Sequence, residues 1–226
     1  ALPAEPVLLR RAVGRALRQT VVAPHALPPF RNSAMDGFAV RAADLVEASA
    51  AHPVTLCVAE VLPAGCASAH PLGPGEAARI MTGAMLPELA DAVVPFEEAE
   101  RSGEGTRERC IVRRVSARGD HVREAGADLS AGAVALEVGR ELSPYDVALL
   151  AALGVASVDA SPRPRVTVLS TGDELLDAAA ELKPGAIRDS NLPMLGRLVE
   201  ACGCTLTHSE RLSDDSIRVA ARVREA

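Results

Sequence analysis

The sequence predicts a multidomain protein of mixed α/β and β class, in which a β-rich unit is followed by a doubly wound α/β domain. Residues 23–116 contain short alternating apolar runs separated by turn residues, a pattern typical of β-strands. From residue 164 the order changes to strand, helix and strand, which favours a largely parallel sheet. The length of 226 residues suits one large or two modest domains, each with its own core.

The first elements are predicted from apolar spacing. Residues 5–20 predict an amphipathic helix, because apolar side chains recur there at intervals of three and four. In the β-rich unit, alternating or continuous apolar runs predict strands over 38–40, 53–60 and 91–96.

The later elements have clearer boundaries. Residues 144–153 predict a helix, since Ser143 suits the N-cap, Pro144 the first turn and Gly154 the end. The elements that follow are a strand over 165–170, a helix over 192–202 and a strand over 205–207. Asp189 and Ser190 precede the helix, and capping is the expected role of Ser190 and Asn191.

Composition excludes several classes of function. The formal net charge is −6 and only 2% of residues are aromatic, with no Trp, so the chain lacks the basic stripe and stacking rings of a nucleic-acid-binding protein. No apolar run is long enough to cross a bilayer, and no signal peptide is evident, so we expect a cytoplasmic protein with no membrane partner. Five scattered cysteines do not have the paired spacing of a zinc site.

The segment LPPFRNSAMDGFAV, residues 27–40, has the features of a functional site. Asn32 and Ser33 offer side-chain hydrogen bonds, and Gly37 frees the backbone beside Asp36. Asp36 is therefore expected to be held in a fixed geometry. The alternative is a tight turn that only leads into the strand.

Two further segments combine a turn with groups that bind anions. The Thr82 hydroxyl and the backbone beside Gly83 are expected to donate to an oxyanion, although Thr-Gly is also an ordinary turn. Arg123 offers a planar positive fork suited to an oxyanion such as phosphate. A surface ion pair with Glu124 or Asp128 is the alternative for Arg123.

The sequence TGDE follows an apolar strand, so its polar groups are expected at the ligand-binding edge of the sheet. Glu174 is the leading candidate and Asp173 its rival, while capping of the next turn is the alternative for both. Asp214 opens a DDS sequence and suits either the site or a helix N-cap. Arg188 presents the same choice as Arg123.

The chain resembles the MoeA family of molybdopterin molybdenumtransferases, whose animal counterpart is the E domain of gephyrin. Six segments in family order carry the resemblance: NSAMDGFAV (32–40), ARIMTGAMLPELADAVVPFEEAE (78–100), GDHVREAGADLSAG (119–132), LLAALGVASV (149–158), PRVTVLSTGDEL (164–175) and GAIRDSN (185–191). Three positions depart from the family pattern: Met85 replaces a usual Pro, Leu89 a common Gly, and Ala127 a frequent acidic residue.

The resemblance implies a particular domain organisation. Residues 1–22 with 117–163 would form an elongated, split α+β domain used in dimerisation, and residues 23–116 would be inserted into it. Residues 164–226 would begin a molybdopterin-binding domain. The family continues with a glycine-rich loop and a C-terminal β-barrel, neither of which is found here, so we interpret the chain as a fragment that is inactive alone.

The resemblance also implies a reaction, the insertion of molybdate into adenylylated molybdopterin with release of AMP. The residues implied as catalytic are Asp36, Thr82, Glu174 and Asp214. Those implied in substrate binding are Asp128, Arg123, Gly83, Thr171, Gly172, Asp173 and Arg188. Mg²⁺ suits the hard carboxylate oxygens and would be held by Glu174 and Asp214.

The expected partners follow from the same resemblance. The cleft would be assembled across a homodimer, and other enzymes of molybdenum cofactor synthesis are further candidate partners. The alternative function is a non-catalytic, gephyrin-like dimeric scaffold or binding module.

Overall fold

The computed structural model describes residues 3–226. Two compact units are present. We call Val21–Leu136 with Ala152–Gly154 the β-rich unit, and Ala1–Thr20, Glu137–Ala151 and Val155–Ala226 the α/β unit. Residues 117–136 therefore lie with the β-rich unit in this division, and the three-domain assignment made from the sequence stays a prediction.

Strands dominate the described residues. The strands are β1 (Glu5–Leu8), β2 (Val21–Val22), β3 (Asn32–Ser33), β4 (Gly37–Val40), β5 (Val54–Leu62), β6 (Glu76–Ile80), β7 (Ala92–Pro95), β8 (Ala99–Ser102), β9 (Arg109–Val112), β10 (Val122–Arg123), β11 (Val134–Leu136), β12 (Ser157–Ala160), β13 (Arg165–Thr171), β14 (Leu175–Leu176), β15 (Ile187–Arg188) and β16 (Thr205–Leu212). The α-helices are α1 (Pro144–Ala152), α2 (Asn191–Ala201) and α3 (Ser216–Glu225). Short 3₁₀ turns span Leu9–Arg11, Ala42–Leu45, Phe96–Glu98 and Gly105–Arg107. None of the helices within residues 3–226 is long and apolar enough to span a bilayer.

A six-stranded sheet organises the β-rich unit, in the order β7-β4-β6-β5-β9-β8. β5 and β6 run parallel, and the other neighbours are antiparallel. The predicted strands over 38–40, 53–60 and 91–96 are confirmed as β4, β5 and β7. Because β4 lies between β6 and β7, the residues just before β4 are brought beside those just after β6.

Small and branched apolar side chains build the core on both faces of this sheet. One face buries Phe38, Leu56, Val58, Val94 and Val112, and the other buries Ala39, Leu62, Ala78, Ile80 and Val93. The rings of Phe38 and Phe96 meet edge to face, with centroids 5.3 Å apart. The near absence of aromatic residues is thus compensated by close packing of Ala, Val and Leu.

The predicted helix over 5–20 is wrong. The segment forms β1, a 3₁₀ turn and irregular backbone, and β1 pairs with β12 in an antiparallel register. Gly14 adopts a φ of +74°, and Arg15 is buried with its Nε donating to the carbonyl of Ser161. Val7, Ala12 and Leu17 are buried, whereas Leu8 and Val13 are exposed. β1 buries the side chain of Val7 by pairing with a distant strand, which spacing along the chain does not reveal.

The predicted strand–helix–strand order in the α/β unit is confirmed. β13 and β16 are parallel neighbours, and α2 connects them and packs on both. β16 extends to Leu212, five residues beyond the predicted end. The carboxyl ends of both strands therefore lie at one edge of the sheet.

The helix caps are partly as predicted. At α1, the Ser143 Oγ accepts from the backbone N of Asp146, whose carboxylate accepts from the Ser143 backbone N, a reciprocal cap. At α2 the expected caps are wrong, because Asp189 rather than Ser190 or Asn191 accepts the first backbone N–H groups. The N-cap of α3 is Asp215, not Asp214.

Gly37 allows β4 to lie unusually close to β7. A Cβ at this position would clash with the carbonyl oxygen of Val94 and would lie 2.9 Å from the Cα of Pro95. Both neighbours are backbone atoms in a paired strand, so neither can rotate away.

We expect Gly37→Ala to lower the free energy of unfolding by about 3 kcal/mol, the upper end of the usual range for overpacking, because paired strands on both sides leave little room to relax. Chemical unfolding followed by circular dichroism measures this. Gly83→Ala is the matched control, since its added Cβ meets nothing within 4 Å and only its φ of +81° is unfavourable, which costs about 1 kcal/mol. Equal losses in the two variants would contradict the argument.

Leu89 occupies a backbone conformation that favours glycine. The turn Pro87–Ala90 is closed by a hydrogen bond of 3.2 Å from the Ala90 backbone N to the Pro87 carbonyl, and Leu89 in its third position has a φ of +70°. The side chain is 60% exposed, so it gains little from burial.

We expect Leu89→Gly to raise the free energy of unfolding by up to about 1 kcal/mol, because the left-handed region is costly for a residue with a Cβ. Thermal or chemical unfolding gives the value. Leu89→Ala removes the same exposed apolar surface but keeps the Cβ, and should show no gain. A gain of the same size in both variants would point to the side chain instead of the backbone.

Candidate functional site

The Asp36 carboxylate is held at the exposed turn between β3 and β4. Its Oδ1 accepts two hydrogen bonds from Thr82, one from the backbone N and one from Oγ1, both 2.7 Å long. The Asp36 carbonyl also accepts from the backbone N of Phe96 at 3.1 Å. The structure therefore shows the fixed geometry predicted for Asp36. It also shows the tight turn into β4 that was the alternative, so the two interpretations are compatible.

Local backbone contacts bring Asp36 and Thr82 together. Thr82 lies just after β6, in the turn Met81–Ala84. The backbone N of Ala84 closes this turn by donating to the carbonyl of Met81 at 3.0 Å. The backbone N of Gly83 donates to the carbonyl of Ser33 at 2.8 Å, which joins this turn to β3. Ser33 is buried, and its Oγ bonds within its own turn to Met35.

The two hydrogen bonds from Thr82 lower the pKa of Asp36 below its ordinary value, the backbone N–H more than the hydroxyl. Asp36 is therefore charged at neutral pH. Because both bonds are made to Oδ1, the described residues leave Oδ2 for a ligand donor or a cation.

The structure changes the expected role of Thr82 and Gly83. Both donors of Thr82 are directed at Asp36, and the N–H of Gly83 is directed at Ser33. In this arrangement neither residue offers a free donor to an oxyanion. The oxygen of Thr82 instead presents its lone pairs, so the pair as a whole is an acceptor site.

Arg123 lies on β10, which pairs with β3, and its register partner is Asn32. Its exposed side chain makes no ion pair within residues 3–226, whereas Glu124 pairs with Arg31 at 3.2 Å. The ion-pair alternative for Arg123 is therefore wrong in the described part of the chain. Asp128 is also exposed, and its backbone N donates to Leu27.

Acidic side chains lie at the carboxyl edge of the parallel strands in the α/β unit. The backbone N of Asp173 donates to Oδ2 of Asp214 at 3.4 Å, and the backbone N of Asp214 donates to Oδ1 of Asp173 at 3.2 Å. These reciprocal bonds join the segment after β13 to the segment after β16. Since Asp215 caps α3, Asp214 is left for this edge.

Gly172 shapes the position of Glu174. Its φ is +149°, and a Cβ there would lie 2.7 Å from Oε2 of Glu174 and 2.9 Å from Cγ of Leu175. The Glu174 side chain therefore lies back over the backbone of Gly172. Thr171, the last residue of β13, is exposed beside it.

Arg188 and Asp189 lie at the start of α2. The exposed Arg188 donates from Nη2 to the carbonyl of Ala180 at 3.2 Å. Asp189, which sequence reasoning assigned no role, is buried, and a hydrogen bond from the Leu192 N–H lowers its pKa. Its Oδ2 has no hydrogen-bond partner within the described residues; the nearby Ser170 hydroxyl favours the charged form without meeting hydrogen-bond geometry. The sequence signal for this role was the position of Asp189, whose side chain can cap a helix, directly before Ser190 and Asn191.

The donor chemistry at this edge is compatible with Mg²⁺, which uses one or two carboxylates and keeps water or phosphate oxygens as its other ligands. Asp173 and Asp214 each keep one carboxylate oxygen outside their reciprocal bonds. Groups of three or more metal-binding side chains do not occur within residues 3–226. Any ion held here therefore needs ligand or water oxygens in addition.

We expect Thr82→Val to raise the pKa of Asp36 toward its ordinary value, although not fully, because the backbone N–H remains. A carboxyl whose pKa is lowered by folding stabilises the fold above its unfolded-state pKa, and this contribution is lost as pH falls through the folded-state pKa. The free energy of unfolding of the variant should therefore be lower than that of the unaltered chain at pH values above the unfolded-state pKa of Asp36. The two should be nearly equal at pH values below the folded-state pKa. NMR titration of the Asp36 carboxyl measures the shift.

Thr82→Ser keeps the hydroxyl and serves as the control for this titration. Its Asp36 should titrate as in the unaltered chain. An unchanged pKa in Thr82→Val would show that the hydroxyl contributes nothing.

Comparisons with known proteins agree with this architecture. Residues 1–154 match the family described as "MoeA N-terminal region (domain I and II)", and residues 167–226 match "Probable molybdopterin binding domain". The fold and the site thus define a protein that joins these two kinds of domain. The chain belongs to the MoeA family, as its six sequence segments predicted.

Individual relatives show the same relationship. The chain is 43% identical over 209 residues to "Molybdopterin molybdenumtransferase 2" of Mycobacterium tuberculosis, covering 92% of this chain and 51% of that protein. It is 39% identical over 220 residues to "Molybdopterin molybdenumtransferase" of Bacillus subtilis, covering 97% and 51%. A MoeA crystal structure from Pyrococcus horikoshii OT3 superposes with a TM-score of 0.90 at 35% identity, over 99% of this chain and 59% of that one. The chain spans about half the length of the curated relatives it matches.

Proposed function

We propose that this chain carries part of the active site of a molybdopterin molybdenumtransferase, which inserts molybdate into adenylylated molybdopterin with release of AMP. The observation that supports this most is the Asp36 carboxylate fixed by both donors of Thr82 at an exposed turn. It occurs in a chain of the MoeA family whose relatives bear that enzyme's name. That activity would be one step of molybdenum cofactor biosynthesis, the process that the names of these relatives indicate.

The geometry favours binding and orientation over proton transfer for Asp36. Its lowered pKa makes it a weak base near neutral pH, where a general base needs a pKa close to that of the medium. A charged carboxylate with one free oxygen is instead suited to accept from an N–H or O–H of the substrate. Thr82 then keeps the carboxylate oriented.

The acidic edge of the α/β unit is proposed to contribute Glu174, Asp173 and Asp214. When bound, Mg²⁺ would supply positive charge that neutralises phosphate oxygens of the adenylylated substrate. Asp214 and Glu174 would hold the ion, and Asp173 would orient Asp214 through their reciprocal bonds. Arg123, Asp128 and Arg188 are proposed as substrate contacts from their exposed positions.

A homodimer in the cytoplasm is part of this proposal. The resemblance to the MoeA family implies that residues of the β-rich unit and of the α/β unit meet across two copies of the chain. Light scattering on the purified protein measures the mass of the assembly, and a monomer at micromolar concentration would contradict the proposed cleft.

We expect Asp36→Asn and Glu174→Gln each to reduce kcat/KM for AMP release about a hundredfold, because each removes a fixed charge from the reacting site. The assay contains adenylylated molybdopterin, molybdate and Mg²⁺. Because the chain spans about half the length of its relatives, the assay is run on the full gene product as well as on these 226 residues.

Glu47→Gln and Glu181→Gln are the matched controls, since both residues are exposed and neither makes a described side-chain hydrogen bond. Retained turnover in Asp36→Asn or Glu174→Gln would reject the role of that residue. A folded, dimeric full gene product without any turnover would favour the scaffold function instead.

A further inference from the structure

A small apolar cavity lies in the β-rich unit, and one of its walls is Met85, three residues after Thr82. Its volume is about 160 Å³, and it is lined by Phe30, Gly65, Cys66, Ala67 and Met85. None of these residues belongs to the acidic and hydroxyl set described above. The cavity is therefore an additional feature of the same region.

The fold holds the walls of this cavity in place. Met85 forms an antiparallel bridge with Asn32, and the buried Asn32 donates from Nδ2 to the carbonyl of Phe30 at 3.2 Å. On the other side, a turn follows β5 and is closed by the backbone N of Cys66 donating to the carbonyl of Pro63 at 3.2 Å.

The chemistry of the walls suits a flat ring. Phe30 is 37% exposed and Met85 is 41% exposed, whereas the rings of Phe38 and Phe96 contact each other. A phenylalanine face, a methionine thioether and a thiol make favourable contacts with aromatic rings. An apolar cavity of about 150 Å³ is large enough to hold benzene.

The cavity is also at a suitable distance from the polar pair. Met85 follows Thr82 by three residues, so their Cα atoms are at most about 11 Å apart, and the intervening turn shortens this. This separation is within the length of a ligand that has a ring at one end and a polar group at the other.

We propose that this cavity receives the six-membered ring of a flat, fused heteroaromatic group of the substrate, packed on Phe30 and Met85, while the polar part of the substrate reaches Asp36 and Thr82. The inference rests on the proposed function, because a pterin and an adenine are the two such rings that the proposed substrate contains. Both rings are flat and heteroaromatic, and the experiment below distinguishes them.

Protection of Cys66 from alkylation tests this proposal without an activity assay. The thiol of Cys66 is exposed in the cavity wall, so a ring bound there should block iodoacetamide. Cys202 is exposed in the α/β unit and gives an internal control in the same sample. Cys110 is buried, which with Glu108 raises its pKa to about 12, so it should contribute no background.

The probes are a free pterin carboxylate and AMP, each titrated to about 10 mM. Dissociation constants up to about this concentration are expected when a single ring makes most of the contacts. We expect one of the two to slow labelling of Cys66 at least threefold while labelling of Cys202 is unchanged. Protection by the pterin alone assigns the pterin ring to the cavity, and protection by AMP alone assigns the adenine.

Phe30→Leu and Phe30→Tyr form a matched pair, because the first removes the ring at similar bulk and the second keeps it. Phe30→Leu should weaken the protecting ligand about fivefold, and Phe30→Tyr should leave it nearly unchanged. The proposal is overturned if neither probe protects Cys66, or if Phe30→Leu is protected as well as the unaltered chain. It is also overturned if Cys66 is blocked without ligand in proportion to protein concentration, since a second copy would then cover the cavity.

The outcomes separate this inference from the proposed function. Turnover that depends on Asp36, together with no protection of Cys66, rejects the cavity alone. Protection of Cys66 in a full gene product that has no turnover rejects the transferase activity and leaves the ring subsite standing.

Discussion

The close approach of β4 to β7 at Gly37 is the constraint on which the candidate site depends. Without a side chain there, the backbone of β4 fits between β6 and β7, and Asp36 is placed at the exact edge where β6 ends. Thr82 then meets Asp36 with both of its donors. One missing Cβ in a buried strand thus helps to set the orientation of an exposed carboxylate.

Sequence reasoning predicted the parts of the fold that depend on local signals. β4, β5, β7, α1 and the strand–helix–strand order carry alternation, caps or turn residues within a short window. The segment 5–20 failed because its burial comes from pairing with β12, a contact more than 140 residues away. The spacing of apolar residues in this segment fits both a helix and a strand with one buried side. Gly14, which has a positive φ, was the overlooked sign that a helix would not continue.

The residues of the candidate site stay a prediction, whereas the structure shows that their interactions were only partly foreseen. Asp36, Thr82 and Asp214 stood out by sequence, but which donors faced which acceptors depends on strand register that no short motif encodes. The caps show the same limit. Neighbouring residues Asp189, Ser190 and Asn191 all have capping side chains, and only the backbone geometry selects the first.

The reciprocal hydrogen bonds between Asp173 and Asp214 have a consequence for motion. Each carboxylate holds the other segment's backbone, so neither segment can shift without breaking a bond that the other also needs. The two segments at the sheet edge are therefore tied to each other from both sides, even though 41 positions of chain separate them.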